Sequence, residues 1–216
     1  MRGAGDRGRF ISLEGGEGAG KSTQARRLAA ALAVVGVPVL RTREPGGASG
    51  AEAIRALLLG AAGPWEPVAE AMLHFAARRE HLARTIRPAL EAGMWVVCDR
   101  FADSTLAYQG FGQGVPRRVF EALSGLTLDG LVPDLTLILD LPPEAGMARA
   151  AGRGEALNRY ERLGPAFHAR IREGFLAIAA EAPARCAVVD AARPADAVTA
   201  DLLALVRARL GAPLPP

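Results

Sequence analysis

The chain of 216 residues is almost without lysine: Lys21 stands alone, and the other 25 of its 26 basic residues are arginines. Cysteine is nearly as scarce. Cys98 and Cys186 each sit in an apolar, strand-like run. That excludes a disulfide-stapled scaffold and favours two buried thiols in a cytoplasmic protein. No apolar stretch approaches the roughly 20 residues that a membrane span needs, so no membrane partner is expected. No long run of like charges occurs and the net charge is only +3, so nucleic acid is not an expected partner, because that needs a clustered basic face. The Asn-Lys-x-Asp pattern of guanine-reading switches is missing as well. With one lysine, already placed elsewhere, it cannot occur.

What remains is ordinary for a globular enzyme: 50% apolar and 23% charged residues, in a length that supports one domain with a full core. Strand-length apolar runs alternate with helical patterns. The expected strands are Phe10–Leu13, Val37–Arg41, Trp95–Cys98, Leu135–Leu141 and Ala187–Val189. Helices are expected at Lys21–Val35, Glu52–Leu59 and Glu66–Ala92, the last bent near Pro88, and others open on Pro116, Pro143, Pro165 and Pro194. The pattern predicts an α/β fold with a five-stranded parallel sheet covered by helices on both faces. One domain is expected over residues 9–211, with loose tails at 1–8 and 212–216.

In such a sheet ligands bind beyond the carboxyl ends of the strands. The first strand runs into Gly15-Gly16-Glu17-Gly18-Ala19-Gly20-Lys21-Ser22, with Thr23 following, and this fits the phosphate-loop pattern G-x-x-x-x-G-K-[ST]. Strand before and helix after are the context the pattern requires. Backbone amides and a helix N-terminus would cradle ATP phosphates, Lys21 would reach the β- and γ-phosphates, and Ser22 would ligate Mg²⁺. An ammonium on a thin stem enters such a loop as a point charge, whereas a guanidinium is too wide. This explains why the only lysine lies there. Asp99, at the end of the third strand, can hold the same Mg²⁺ or its waters, and Arg100 follows it.

The phosphate loop, together with Thr42-Arg43-Glu44-Pro45-Gly46-Gly47, Phe75-Ala76-Ala77-Arg78, Asp99-Arg100-Phe101, Ser104 to Gly110, Pro133 to Thr136 and Asn158-Arg159, resembles the thymidylate kinase family over nearly the whole chain. The resemblance implies a phosphate-loop kinase fold, Mg²⁺ dependence, a homodimer, and phosphoryl transfer from ATP to dTMP. It implies that Arg100 and Arg55 grip the dTMP phosphate with Arg43 nearby. Glu17 would lie near the sugar 3′-hydroxyl, and Glu44 could order Mg²⁺ or water. Arg78 would read the base O4, Thr105 and Gln109 would contact the base, and Tyr108 would crowd C2′ against ribose. Where the family has a stacking phenylalanine this chain has His74, with Phe75 beside it as the other candidate ring. Residues at i and i+4 share a helix face, so His74 is expected to flank the base with Arg78.

Residues 146–160 resemble the family's mobile lid, with Arg149, Arg153 and Arg159 among glycines and alanines. In this family the transition-state arginine comes from the phosphate loop or from the lid. The loop here has none, so Arg153 is the first candidate and Arg149 the second. Two other readings fit the phosphate loop alone: a kinase for another nucleoside monophosphate, and a switch protein that hydrolyses ATP slowly. A pure switch has no use for Arg78, Thr105, Tyr108 and Gln109.

Overall fold

The first strand, β1 (Phe10–Glu14), is buried at every position and lies at the centre of the sheet. The computed structural model describes residues 7–60, 64–152 and 159–215. Beside β1 run β3 (Trp95–Asp99) and β4 (Leu135–Asp140), and outside them β2 (Val39–Arg43) and β5 (Cys186–Asp190). All neighbours pair in parallel, in the order β2-β3-β1-β4-β5. Parallel strands need crossover helices, and those helices cover both faces. Alternate residues therefore meet different helices. Ile11, Leu13 and Val97 pack with Leu28 and Leu32 of α1 (Lys21–Val34) and with Val198, Leu202 and Val206 of α9 (Ala195–Leu210). Phe10, Val96 and Cys98 face the other way, toward Leu82 and Ile86. Ile138 meets Phe167 and Phe175 of α8 (Pro165–Glu181).

Proline opens helices as expected. Pro143 starts α7 (Pro143–Ala151), Pro165 starts α8, and Pro116 and Pro194 precede α6 (Arg117–Leu128) and α9. Two elements shift by more than one residue. β2 begins two residues late because the turn after α1 runs on through Gly36 (φ 76°), with the Val37 amide donating to the Leu32 carbonyl. α2 (Ser49–Leu59) begins three residues early, at Ser49. The long helix divides into α3 (Pro67–His81), a π-helical turn at Leu82–Ile86, and α4 (Arg87–Glu91). Pro88 has no N–H for the ladder, and the backbone widens in the turn before it.

Both expected tails are partly packed. The Gly8 amide donates to the Leu90 carbonyl at 2.8 Å, and Arg7 pairs with Asp134. Ala212 and Leu214 are buried in the cluster that α9 covers, so the end of the chain is not loose there. Apolar side chains in a proline-rich segment found core surface to cover.

Register sets the site. Asp99 lies level with Leu13 of β1 and Arg43 of β2. The carboxyl ends of three strands thus bring the phosphate loop, Arg43 and Asp99 together.

Candidate active site

The loop from Gly15 to Gly20 joins β1 to α1, and the N-terminus of α1 carries no side-chain cap. Its amides are free to meet an anion. Gly15 (φ 134°) and Gly18 (φ 68°) hold backbone that L-residues avoid. A Cβ on Gly18 would fall 2.0 Å from the Gly146 carbonyl oxygen at the base of α7. Ala19 is buried in the core behind the loop, while Glu17, Gly18, Gly20, Ser22 and Thr23 line a cavity of about 390 Å³. Lys21 lines it too, and its Nζ donates to the Gly16 carbonyl at 2.6 Å. Burial, then repulsion from Arg100, lowers its ammonium to about 8. The Ser22 hydroxyl donates to Asp99 Oδ2 at 2.5 Å. Two hard oxygens from distant parts of the chain therefore meet where the loop enters its helix.

On the other side stand the arginines. Arg100 has φ 71°, one of two non-glycine residues in the left-handed region among those described. Its guanidinium donates to the Gly15 carbonyl (3.1 Å), Ser104 Oγ (3.2 Å), Glu17 Oε1 (3.1 Å) and the Tyr108 hydroxyl (2.9 Å). Tyr108 in turn donates to Glu17 Oε1 at 2.9 Å. Burial pushes the Glu17 carboxyl up, but Arg100, Lys21 and the tyrosine outweigh it and hold the carboxyl below its ordinary range. Arg55 donates to the Pro45 carbonyl at 2.7 Å across a cis Glu44–Pro45 turn. Burial and the nearby Arg43 lower its affinity for its proton, and Glu52 and Asp99 only partly offset them. Arg43 pairs with Glu52 at 3.1 Å. All three arginines line the cavity.

The third wall comes from α3. Arg78 is 2% exposed. Its Nε donates to Glu44 Oε2 (2.7 Å), and Nη2 donates to the Phe101 carbonyl and Thr105 Oγ1 (both 3.1 Å). The guanidinium lies 4.7 Å from the Phe75 ring and 5.3 Å from the Phe101 ring. Nη1 has no partner. Glu44 uses its other oxygen on His81 Nδ1 (3.0 Å). Each of its oxygens thus accepts from one protein donor, so Glu44 holds Arg78 while still lining the cavity. His74 lines the cavity and Phe75 does not; Phe75 is core, edge-on to Phe120 and beneath Arg78.

Glu70, one turn before His74, was not legible as a site residue. It is fully buried. Its Oε1 accepts from Gln109 (2.7 Å), Gln113 (3.1 Å) and the Tyr160 hydroxyl (2.7 Å), and its Oε2 pairs with Arg159. Tyr160 lies 3.0 Å from His74 Nε2. Because Tyr160 donates to Glu70, it accepts from His74. Burial first, then Arg78 and Arg100, drop the His74 imidazole to about 3, so it is neutral. The signal was present: Glu70, His74 and Arg78 stand four residues apart on one helix stripe. Of the lid arginines, Arg149 lines the cavity and donates to the Ala191 and Ala192 carbonyls at 2.8 and 3.2 Å, and Arg159 is engaged by Glu70. Arg153 lies outside the described residues.

A phosphate loop opposite an arginine-lined wall, with a serine–aspartate pair between them, defines a phosphate-loop nucleotide kinase. Comparison with known proteins narrows that class. The thymidylate kinase family model matches residues 13–202. A thymidylate kinase of Caulobacter vibrioides is 58% identical over 205 residues, covering 94% of this chain and 98% of that one. One of Chromohalobacter salexigens is 53% identical over 206 residues, covering 94% and 97%. The crystal structure of thymidylate kinase from Ehrlichia chaffeensis superposes with a TM-score of 0.76 at 34% identity, covering 93% of this chain and 99% of that chain. The chain belongs to the thymidylate kinase family, enzymes that use ATP to phosphorylate dTMP to dTDP.

Proposed function

We propose a specific division of labour for that reaction, MgATP and dTMP giving ADP and dTDP, in this cavity. Gly15 to Thr23 cradle the ATP phosphates and Lys21 supplies the point charge between β and γ. Ser22 and Asp99 offer two hard oxygens 2.5 Å apart. That set fits Mg²⁺, which takes one or two protein ligands and leaves the rest to phosphate and water. When bound, the ion would neutralise phosphate charge.

Arg100, Arg55 and Arg43 receive the dTMP phosphate. A phosphate monoester has its second pKa near ~6, so the acceptor is already an anion and needs no strong base. The protein's work is to align two polyanions and offset their repulsion. Ionised Glu17 takes the sugar 3′-hydroxyl, and the Tyr108 ring crowds C2′. Thr105 and Gln109 border the base, and His74 flanks it. Arg149 and Arg153 serve the transition state from the lid.

The observation that carries the substrate reading is Arg78 Nη1, a buried donor without a hydrogen-bond partner among the described residues, in a side chain that lines the cavity. Such a donor wants an acceptor. Thymine offers a carbonyl oxygen at the ring position where cytosine carries an amino group. A cytosine base would set donor against donor.

The test is to offer MgATP with dTMP, dUMP, UMP, dCMP and dGMP and follow ADP release. The expected order puts dTMP first, dUMP close behind because one methyl is worth about 1–3 kcal/mol, and dCMP last. Preference for another acceptor, or equal ADP release with none, would sink the reading. Arg153→Ala should lower kcat far more than it raises the KM for dTMP, and an unchanged kcat would pass the role to Arg149.

A homodimer in the cytoplasm completes the proposal. Exposed Leu57, Met72 and Leu126 lie on α2, α3 and α6, and α3 packs against the other two. Both cysteines are free and buried. Met72→Asp should shift the sedimentation coefficient toward that of a monomer.

A further inference from the structure

Glu14 ends β1 and is fully buried, yet it is no part of the loop that binds phosphate. Its Oε1 accepts from the Phe101 amide at 2.7 Å, and its Oε2 accepts from the Ser104 hydroxyl at 2.5 Å. Both partners belong to Arg100. Phe101 is the next residue, and its amide direction depends on the left-handed turn at Arg100 (φ 71°). Ser104 Oγ, while donating to Glu14, accepts from Arg100 Nη1 at 3.2 Å. The Arg100 amide closes the same turn by donating to the Leu13 carbonyl at 2.9 Å. A left-handed turn is costly for a residue with a Cβ, and it persists only where its surroundings enforce it.

We propose that Glu14 is a positioning residue for the acceptor-phosphate arginine: it grips Arg100 at both ends, the backbone through the Phe101 amide and the guanidinium through Ser104. The proposal rests on the reading of Arg100 given above. An apolar residue at this point would leave a buried amide and a buried hydroxyl unanswered. Burial, with Asp103 adding to it, pushes the Glu14 carboxyl up, and the bonds from Ser104 and the Phe101 amide and the charge of Arg100 work against that rise. The fold thus keeps an acceptor where a buried charge is expensive, at a point that reaches both ends of Arg100. From there the guanidinium passes on to Glu17 and Tyr108, and it also touches the phosphate loop at the Gly15 carbonyl.

The test is the split between substrates. Glu14→Gln keeps the size of the side chain and one acceptor for the Phe101 amide, but turns an amide toward Ser104. Its expected effect is a rise of about tenfold in the KM for dTMP, the scale of one hydrogen bond to a charged group. The KM for ATP and the melting temperature should hardly move. Ser104→Ala cuts only the guanidinium arm and should raise the same KM by less, and the double variant should fall short of the product of the two. Equal rises in both KM values, a multiplicative double variant, or no rise at all would overturn the role. Should Glu14→Gln fail to fold, the Ser104→Ala split decides the matter alone. Arg100→Ala separates the two readings. If it leaves the KM for dTMP unchanged, the acceptor reading of Arg100 is wrong. If it raises that KM while Glu14→Gln and Ser104→Ala do not, only the Glu14 assignment falls.

Discussion

Arg78 donates to Glu44 at 2.7 Å from a position where both side chains are almost wholly out of water, and it still keeps one nitrogen unpartnered among the described residues. The pair is an orienting device more than a source of stability. Two charges taken from water regain little net energy from each other, but removing one leaves the other exposed to a large desolvation cost. The arrangement fixes the guanidinium in the cavity wall.

Arg78→Lys should therefore raise the KM for dTMP strongly and leave that for ATP unchanged. A lysine cannot bind Glu44, Thr105 and a base carbonyl at once. Glu44→Ala should lower folding stability by about 3–5 kcal/mol, the cost of an unpaired buried charge. Urea denaturation measures it, and a loss below 1 kcal/mol would mean that the guanidinium reaches water.

Lys21→Arg keeps the charge and should still lower kcat by about two to three orders of magnitude, as losing a preorganised electrostatic contact does. The seat between the loop amides is too narrow for a planar fork. Circular dichroism should report an intact fold. Substantial retained turnover would refute the steric argument.

The pH dependence of ATP binding follows from the same residue. The Lys21 ammonium titrates at about 8 in the folded protein, below its ordinary value of 10.5. Between those values the unfolded chain holds more protons, so this group's contribution to stability rises with pH across that window. Bound phosphates favour the ammonium. ATP should bind with uptake of protons above pH 8, and more weakly as pH climbs. Calorimetry at about pH 8.5 in buffers of different ionisation enthalpy measures the uptake; none would show that Lys21 is already fully charged.

His74→Phe should keep or tighten dTMP binding, since a larger apolar ring replaces a neutral imidazole and Tyr160 retains Glu70. The acid limb of stability should change too. A histidine lowered from 6.5 to about 3 contributes fully above 6.5 and loses that contribution as pH falls toward 3. The variant should lose less stability between neutral and acid pH than the parent. Urea midpoints across that range compare them, and parallel curves would mean that His74 titrates normally.

The helix-period argument that sets His74 beside Arg78 and sends Phe75 elsewhere needs only residue spacing, and the cavity wall has that composition. Lys21, Ser22 and Asp99 were legible for a similar reason: strand, loop and helix boundaries are local. Glu70 and Glu14 were not. A carboxylate inside an apolar run has no visible partner until Gln109, Tyr160 and Ser104 are brought to it from 39, 90 and 90 positions away. The contacts of Glu44 with Arg78 and His81 were hidden for the same reason. The packing of Ala212 and Leu214 was equally hidden, because proline-rich ends are read by their punctuation and not by the groove they fill.

The sequence by itself determined the strand-and-helix alternation, the phosphate loop, and the use of one lysine among arginines, because each depends on chain periodicity or on the shape of one side chain. Only the tertiary structure decided which charges face each other: Glu44 with Arg78, Glu17 with Arg100, Glu14 behind Ser104. Coulomb attraction and desolvation act through space and fall off over a few ångströms, and the sequence order of those residues carries no record of that distance.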